Sequence, residues 1–251
     1  MQLIDLILQK PLMLIPLTLV ISTIIQLIYD IAIHGKILGY PKEKNSEHQP
    51  PISVVICARD EEKNLEQNLP LILEQNYPNF EVVVVNDCST DDTDMVLTRL
   101  SNQYKHLKTT EIKKDQKFTH GKKLAVTVGI KAATHECLLF TDADCYPVSN
   151  NWIARMASHY NEKNSIVLGY GGYKHYKGLL NTLIRYDTVM IALQYFTYAL
   201  SGFPYMGVGR NMGYKKSLFY KNKGFAGHYH IDSADDDIFI NQTATKENTV
   251  I

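Results

Sequence analysis

The feature that most constrains this chain is a rhythm of near-continuous apolar runs alternating with segments of helical spacing. ISVVICAR (52–59), FEVVVVND (80–87) and ECLLFTDAD (136–144) are rich in β-branched and large apolar residues and have no regularly polar face. That is the composition of strands buried on both sides. LKTTEIK (107–113) reads as a weaker strand, third in chain order. Between the runs, Leu65, Leu69, Ile72 and Leu73 recur at helical intervals over residues 60–75. The segment from Ser89 onward opens with aspartates suited to a first helical turn, with Ser89 or Thr90 as the expected N-cap, and residues 121–133 read as a third helix. Strands alternating with helices predict an α/β fold with a mostly parallel, Rossmann-like sheet covered on both faces. In such sheets ligands collect beyond the carboxyl ends of the strands. Arg59, Asp87, Asp142 and Asp144 fall at or just past those ends, so one crevice is expected to hold them.

Composition removes several function classes. The 26 basic and 26 acidic residues leave no net charge, so the basic excess of a general nucleic-acid binder is missing. The first strand is followed by CARDEEKN, and the sequence has neither GxGxxG nor GxxxxGK[ST]. A dinucleotide fingerprint and a P-loop are therefore ruled out. Cys57, Cys88, Cys137 and Cys145 form no CxxC pair and have no histidine at zinc-ligand spacing. They read as reduced thiols in a cytosolic domain.

The N-terminus has its own logic. Residues 11–29, PLMLIPLTLVISTIIQLIY, run for 19 positions without a charge, enough to cross a bilayer core as a helix. His34, Lys36, Lys42 and Lys44 follow, which puts the downstream domain on the cytoplasmic side by the positive-inside tendency. No small-x-small cleavage site marks the run as a signal peptide. The expected organisation is a membrane anchor at 1–35, a polar linker at 36–50 and a catalytic domain at 51–251. A further long apolar segment, 178–200, is interrupted by Arg185 and Asp187. It is expected to be either an interfacial helix or a helix covering the sheet.

The chemistry concentrates in three acidic segments and one basic one. Strand alternation points Asp142 and Asp144 to the same side, where two such carboxylates can bind a hard divalent cation, directly or with one through water. Mg²⁺ or Mn²⁺ held this way would bridge a diphosphate. A lone DxD is more often a turn, so its company decides. Asp87 in VVVVNDCSTDDT is placed to accept the imide hydrogen of uracil. HGKK at 120–123 puts Lys122 at a helix start, a suitable neighbour for a diphosphate. The run Asp235, Asp236 and Asp237 supplies a carboxylate for deprotonating a hydroxyl, or a cap for a helix starting at Ile238.

Taken together, these segments resemble glycosyltransferase family 2, with its GT-A fold, over residues 51–242. ISVVICARDEEKNL resembles the opening strand and acidic loop, and VVVVNDCSTDDT the nucleotide-reading strand end, with Asn86 where a first aspartate is usual. LLFTDADC resembles the metal motif, GVGRNMGYKKSLF the segment beside the acceptor, and SADDDIFIN the motif that carries the base. The resemblance implies inverting transfer of a sugar from a nucleotide-diphosphate sugar, with UDP favoured, to a hydroxyl of a membrane-associated or cell-envelope glycan or lipid acceptor. It implies Asp236 as base with Asp235 beside it, and Arg59, Glu61, Asp87, Lys122 and Asp142 on the donor. Asp142 and Asp144 fall to the metal. Membrane-associated members often carry a QxxRW-like motif and further membrane helices downstream; neither is present, so a truncated C-terminus is expected. Two other readings are a non-catalytic, membrane-tethered sugar-nucleotide binding module and a DxD phosphohydrolase. The latter class usually has its DxD after the first strand, not the fourth.

Overall fold

In the computed structural model, which describes residues 14–41, 49–113, 121–228 and 235–251, β1 (Ile52–Ala58) is paired in parallel on both edges. Its neighbours are β2 (Phe80–Asp87) and β4 (Cys137–Phe140). The full sheet has seven strands in the order β3-β2-β1-β4-β6-β5-β7, with β3 at Leu107–Ile112, β5 at Ile166–Leu168, β6 at Met212–Lys215 and β7 at Thr249–Val250. The four strands read from sequence are all present and mutually parallel. β6 departs from the parallel pattern, running antiparallel to both β4 and β5. Its register pairs Met212 with Phe140 and with Leu168, so the chain entering β6 emerges where β4 and β5 end.

The alternation of side chains on β1 and β2 sends successive residues to opposite faces. Val54, Ile56, Val82 and Val84 pack under α2 (Glu62–Leu73), α3 (Thr93–Gln103) and α5 (Trp152–Ala157). Val55 and Val83 pack on the other face with Val126 and Ile130 of α4 (Lys122–Ala132), Ala192 and Tyr195 of α6 (Leu179–Leu200), and Phe239 and Ile240 of α8 (Asp235–Thr243). Between β6 and α8 lies α7 (Lys216–Lys221). Tyr214 stands at the centre of the second face, with its ring centroid 4.5 Å from those of both Phe140 and Phe239.

Three local expectations are revised. Ser89 and Thr90 do not cap α3; that helix starts at Thr93 after Asp92, and the two hydroxyl residues bond another loop instead. The fourth strand ends at Phe140, so Asp142 and Asp144 lie in a turn beyond it. Helix α8 begins at Asp235, three residues before Ile238, which puts all three aspartates in its first turn. Residues 178–200 also resolve into two halves. Leu179, Leu180 and Leu183 are exposed, whereas Thr188, Ala192, Tyr195 and Thr197 are buried.

The chain divides into two compact units, Met1–Pro41 and Lys42–Ile251. In the first, α1 (Leu14–Ala32) has no buried residue and is long and apolar enough to cross a membrane. Its hydroxyls bond back to the preceding turn: Thr18 to the Ile15 carbonyl, and Ser22 and Thr23 to that of Leu19. A helix whose polar side chains satisfy themselves in this way suits an apolar surrounding. Residues 11–13 of the apolar run and 42–48 of the linker lie outside the described residues.

At the amino end of β2, away from the crevice, Glu81 is a buried charge with four hydrogen-bond donors. It accepts from Ser53 Oγ (2.6 Å), Lys108 Nζ (2.6 Å) and both the amide and hydroxyl of Thr134. Burial alone would raise its carboxyl, but these hydrogen bonds and the Lys108 charge outweigh it and hold the group at about 2, against 4.5 ordinarily. A depressed folded value stabilises the protein above the unfolded value, and that contribution disappears as pH falls toward the folded one. Glu81→Gln is therefore expected to lower stability by up to about 3 kcal/mol at pH 7, with the gap falling to about half or less at pH 3 and closing only as pH passes below about 2. Urea unfolding of both proteins at about pH 7 and pH 3 checks this; an equal gap at both would rule it out.

Candidate active site

The site begins with two loops stitched together at the carboxyl ends of β1 and β2. Asp60 turns the chain at φ +56°, a left-handed conformation aspartate tolerates better than most residues. Its carboxylate accepts from the Thr90 amide (2.7 Å) and hydroxyl (3.1 Å), and its own amide donates to Ser89 Oγ (3.0 Å). The Thr90 amide is the main reason that the Asp60 carboxyl lies below its ordinary range. The next two amides donate to Thr93 Oγ1 and Asp91 Oδ2. The residues expected to cap a helix thus lock the first loop against the second. Arg59 is exposed at this end, and Glu61 is half-buried and accepts from Asn64 Nδ2 (2.6 Å).

Asp87 closes β2. It is only 6% exposed, and its Oδ1 has no hydrogen-bond partner among the described residues. An unpaired buried polar atom costs about 1–3 kcal/mol, so this oxygen has room for a donor from beyond the described residues. The turn after β4 then delivers Asp142 and Asp144, with the Cys145 amide donating to the Asp142 carbonyl (3.0 Å). Ligand atoms of Asp142, Asp144 and Cys145 lie within 4.8 Å of one another. Burial, reinforced by the two neighbouring carboxylates, pushes the Cys145 thiol up to about 12. Two of these three ligand atoms are carboxylate oxygens, which suit a hard divalent cation. Convergence comes from the turn and not from strand alternation. Lys122, at the start of α4, pairs with Asp142 Oδ1 at 2.9 Å, both groups being partly exposed. His120 of HGKK lies outside the described residues.

The acidic run enters from α8. Phe239 and Ile240 are buried and fix that helix against the sheet, and Asp236, three and four residues earlier, shares their face. Asp236 Oδ2 accepts from the Gly209 amide at 2.7 Å, in the short 3-10 turn Gly209–Asn211 that precedes β6. A Cβ at Gly209 would overlap that carboxylate. Arg210 and Asn211 of the same turn line a cleft of about 590 Å³ that also takes in Asp142 and Asp144. The structure therefore brings Asp142, Asp144 and Lys122 together and holds Asp236 against the turn that walls the cleft. Arg59 and Asp87 stand at the strand ends on the other flank of β4. The aromatic segment GYGGYKHYK (169–177), which forms the far wall, was not anticipated. Its signal in sequence was a run of tyrosines and glycines straight after a strand.

Comparison with known proteins gives this arrangement a class. The glycosyl transferase family 2 profile matches residues 53–226, and the chain belongs to that family. An uncharacterized glycosyltransferase of Haemophilus influenzae is 28% identical over 151 residues, 60% of this chain and 43% of that one. Poly(ribitol-phosphate) beta-N-acetylglucosaminyltransferase TarS of Staphylococcus aureus is 31% identical over 118 residues, 46% of this chain and 20% of its own length. Among solved structures, the mannosyltransferase PcManGT of Pyrobaculum calidifontis, in complex with GDP-Man and Mn²⁺, superposes with a TM-score of 0.63 at 22% identity. It covers 81% of this chain and 55% of that one. The fold is the GT-A fold of these neighbours. The chain spans less than half the length of the curated relatives it matches.

Removing the buried charge at Asp87 without changing its shape tests whether that oxygen is held at a cost. Asp87→Asn is expected to match or exceed the thermal stability of the parent, by up to about 2 kcal/mol. A clear drop in Tm by differential scanning calorimetry would instead make Asp87 a structural group.

Proposed function

We propose that the protein is an inverting glycosyltransferase that moves a sugar from a UDP-sugar to a hydroxyl of a membrane-associated or cell-envelope glycan or lipid. The observation that carries this reading is the buried Asp87 Oδ1, without a partner among the described residues, at the same sheet end as a carboxylate pair that can hold a cation. A uracil imide offers one N–H donor of the kind this oxygen lacks. TarS, of which a structure with UDP-GlcNAc is known, supports UDP; PcManGT, with GDP-Man, keeps guanine in the test.

In this reading Arg59 and Glu61 border the nucleotide and Asp87 reads the base. Lys122 leaves Asp142 to pair with the diphosphate. Asp142 and Asp144 would hold Mg²⁺ or Mn²⁺, which supplies charge neutralisation for the departing diphosphate. Asp236 accepts the proton of the acceptor hydroxyl as its oxygen bonds to the anomeric carbon. The bond from that carbon to the diphosphate breaks, and the nucleoside diphosphate leaves with the electron pair. Asp235 precedes Asp236 in the first turn of α8. Helix α1 anchors the chain in a membrane with the catalytic unit on the cytoplasmic side, as its flanking lysines suggest.

Titration of UDP and of GDP with Mn²⁺ tests the assignments. Asp142→Ala is expected to abolish the metal dependence of nucleotide binding. Asp87→Ala should weaken UDP about 10- to 100-fold, the worth of a hydrogen bond to a charged group. Asp236→Ala should leave nucleotide affinity unchanged and reduce sugar transfer by about 10²–10⁴. Retained metal dependence in Asp142→Ala would remove the metal assignment, and phosphate release from a monoester would favour a hydrolase.

The membrane assignment is separately testable. Deleting residues 1–41 is expected to release the protein from the membrane fraction on sedimentation while UDP affinity stays the same. A deleted chain that still sediments with membranes would show that α1 is not the anchor.

A further inference from the structure

The far wall of the cleft is built with more care than an ordinary surface loop. Between β5 and α6 the chain runs through residues 169–178 without regular structure, yet its backbone is pinned along its length. Tyr195 Oη donates to the Gly169 carbonyl (2.8 Å), Asn211 Nδ2 to that of Tyr170 (2.9 Å) and Arg210 Nε to that of Gly171 (2.7 Å). Asn181, in the first turn of α6, takes both remaining points: it accepts from the Tyr176 amide (2.8 Å) and donates to the Lys174 carbonyl (3.1 Å). Gly171 is required for the close approach, because a Cβ there would run into the Arg210 side chain.

What this scaffold presents is aromatic and open. Tyr170, Tyr173 and Tyr176 are 44%, 54% and 59% exposed, and Tyr146 stands across from them at 41%, all lining the cleft that contains Asp142 and Asp144. Lys174 Nζ lies 6.0 Å from the Tyr146 ring centroid and 5.8 Å from that of Tyr176. Arg210 is set over Tyr173 at 5.3 Å. Rigid, half-exposed rings give contact area at little entropic cost, and their edges offer hydroxyls. An ammonium group with three donors stands among them. Such a surface suits a ligand with flat apolar ring faces and many hydroxyls, and it is far too polar for an acyl chain.

The sheet order says which ligand this is. β2 and β1, with Asp87 and Arg59 at their ends, lie on one side of β4, and β6 and β5, which carry the aromatic wall, lie on the other. The carboxylate pair after β4 separates the two. A donor nucleotide read by Asp87 therefore leaves the aromatic wall free. We propose that residues 170–176 form a platform for the glycan of the acceptor, with its sugar rings stacked on Tyr173 and Tyr176 and its hydroxyls bonded by Lys174. Asn181 is the positioning residue that holds the platform in shape. The platform's role as an acceptor site rests on the transferase reading above; its affinity for carbohydrate does not.

The test uses the full chain in a detergent without a sugar headgroup, with metal chelated and no nucleotide present. Tetrasaccharides of N-acetylglucosamine, glucose and mannose are the probes, followed by saturation-transfer NMR and calorimetric titration. At least one is expected to bind with a Kd tighter than about 10 mM, the weak range typical of small polar ligands. The Tyr173→Ala/Tyr176→Ala pair should weaken it at least about tenfold. Asn181→Ala should weaken it as well, with both tyrosines in place and Tm unchanged. No saturable binding of any tetrasaccharide, or binding indifferent to the tyrosines, overturns the proposal. So does binding of polyprenyl-phosphate vesicles through the same tyrosines in place of the sugars. The Mn²⁺–UDP titration runs alongside: if it fails while the glycan binds, the transferase reading falls and the platform stands.

Discussion

The cleft exists because β1 is paired in parallel with β2 on one side and β4 on the other. Parallel pairing makes three successive strands end at the same edge, and it does so only if each returning connection crosses the sheet as a helix. Once that register is set, β1 and β2 end within one residue of each other, β4 ends opposite Val55, three residues earlier, and the loops that follow all leave from the same edge of the sheet. The apolar continuity of these strands is thus a functional property as well as a packing one. A strand with one polar face would leave one layer of helices without a seat, and the three loops would lose their common anchor.

The antiparallel strand β6 completes what parallel pairing cannot. A parallel strand beside β4 would bring its entering loop to the opposite edge of the sheet. Because β6 runs the other way, the turn Gly209–Asn211 arrives at the ends of β4 and β5. That turn does three things through adjacent residues. The Gly209 amide holds Asp236, Arg210 pins the loop after β5, and Asn211 links that loop to Trp152, whose indole donates to it at 2.9 Å. Asp236, the loop after β5 and Trp152 are therefore referenced to one short segment, and a shift there would move them together.

Much of this was legible in the residues. Strands buried on both faces declare themselves by composition, so β1, β2 and β4 followed from apolar runs, whereas the edge strand β3, with exposed Lys108, Thr109 and Glu111, gave a weaker signal. The position of Asp87 was legible for the same reason, since it closes β2, whereas the limits beside Asp142 and Asp236 were not: β4 ends short of Asp142, at Phe140, and α8 starts ahead of Asp236, at Asp235. The geometry was less so. Ser89 and Thr90 are good helix caps by local preference, but Asp60, some thirty residues earlier, competes for them through its left-handed turn. Strand alternation gave the right outcome for Asp142 and Asp144 by the wrong route, because pairing with β6 stops at Phe140. The direction of β6 itself is not encoded in four residues of MGYK; it depends on which strand edges remain unpaired.

Helix α6 shows why periodicity alone left two readings open. Its apolar residues are spread around the whole circumference, so no stripe announces a buried side. The structure divides it along its length. Residues from Thr188 onward pack on the sheet, and Tyr195 reaches the Gly169 carbonyl, whereas Leu179, Leu180 and Leu183 remain exposed. The buried half anchors the start of the aromatic loop and Asn181, in the exposed half, clamps its end. One rigid rod thus fixes both ends of a segment that has no regular structure of its own. Rigidity matters here because a sugar binds weakly per ring, and any freedom frozen out of the loop on binding would be subtracted from that small gain.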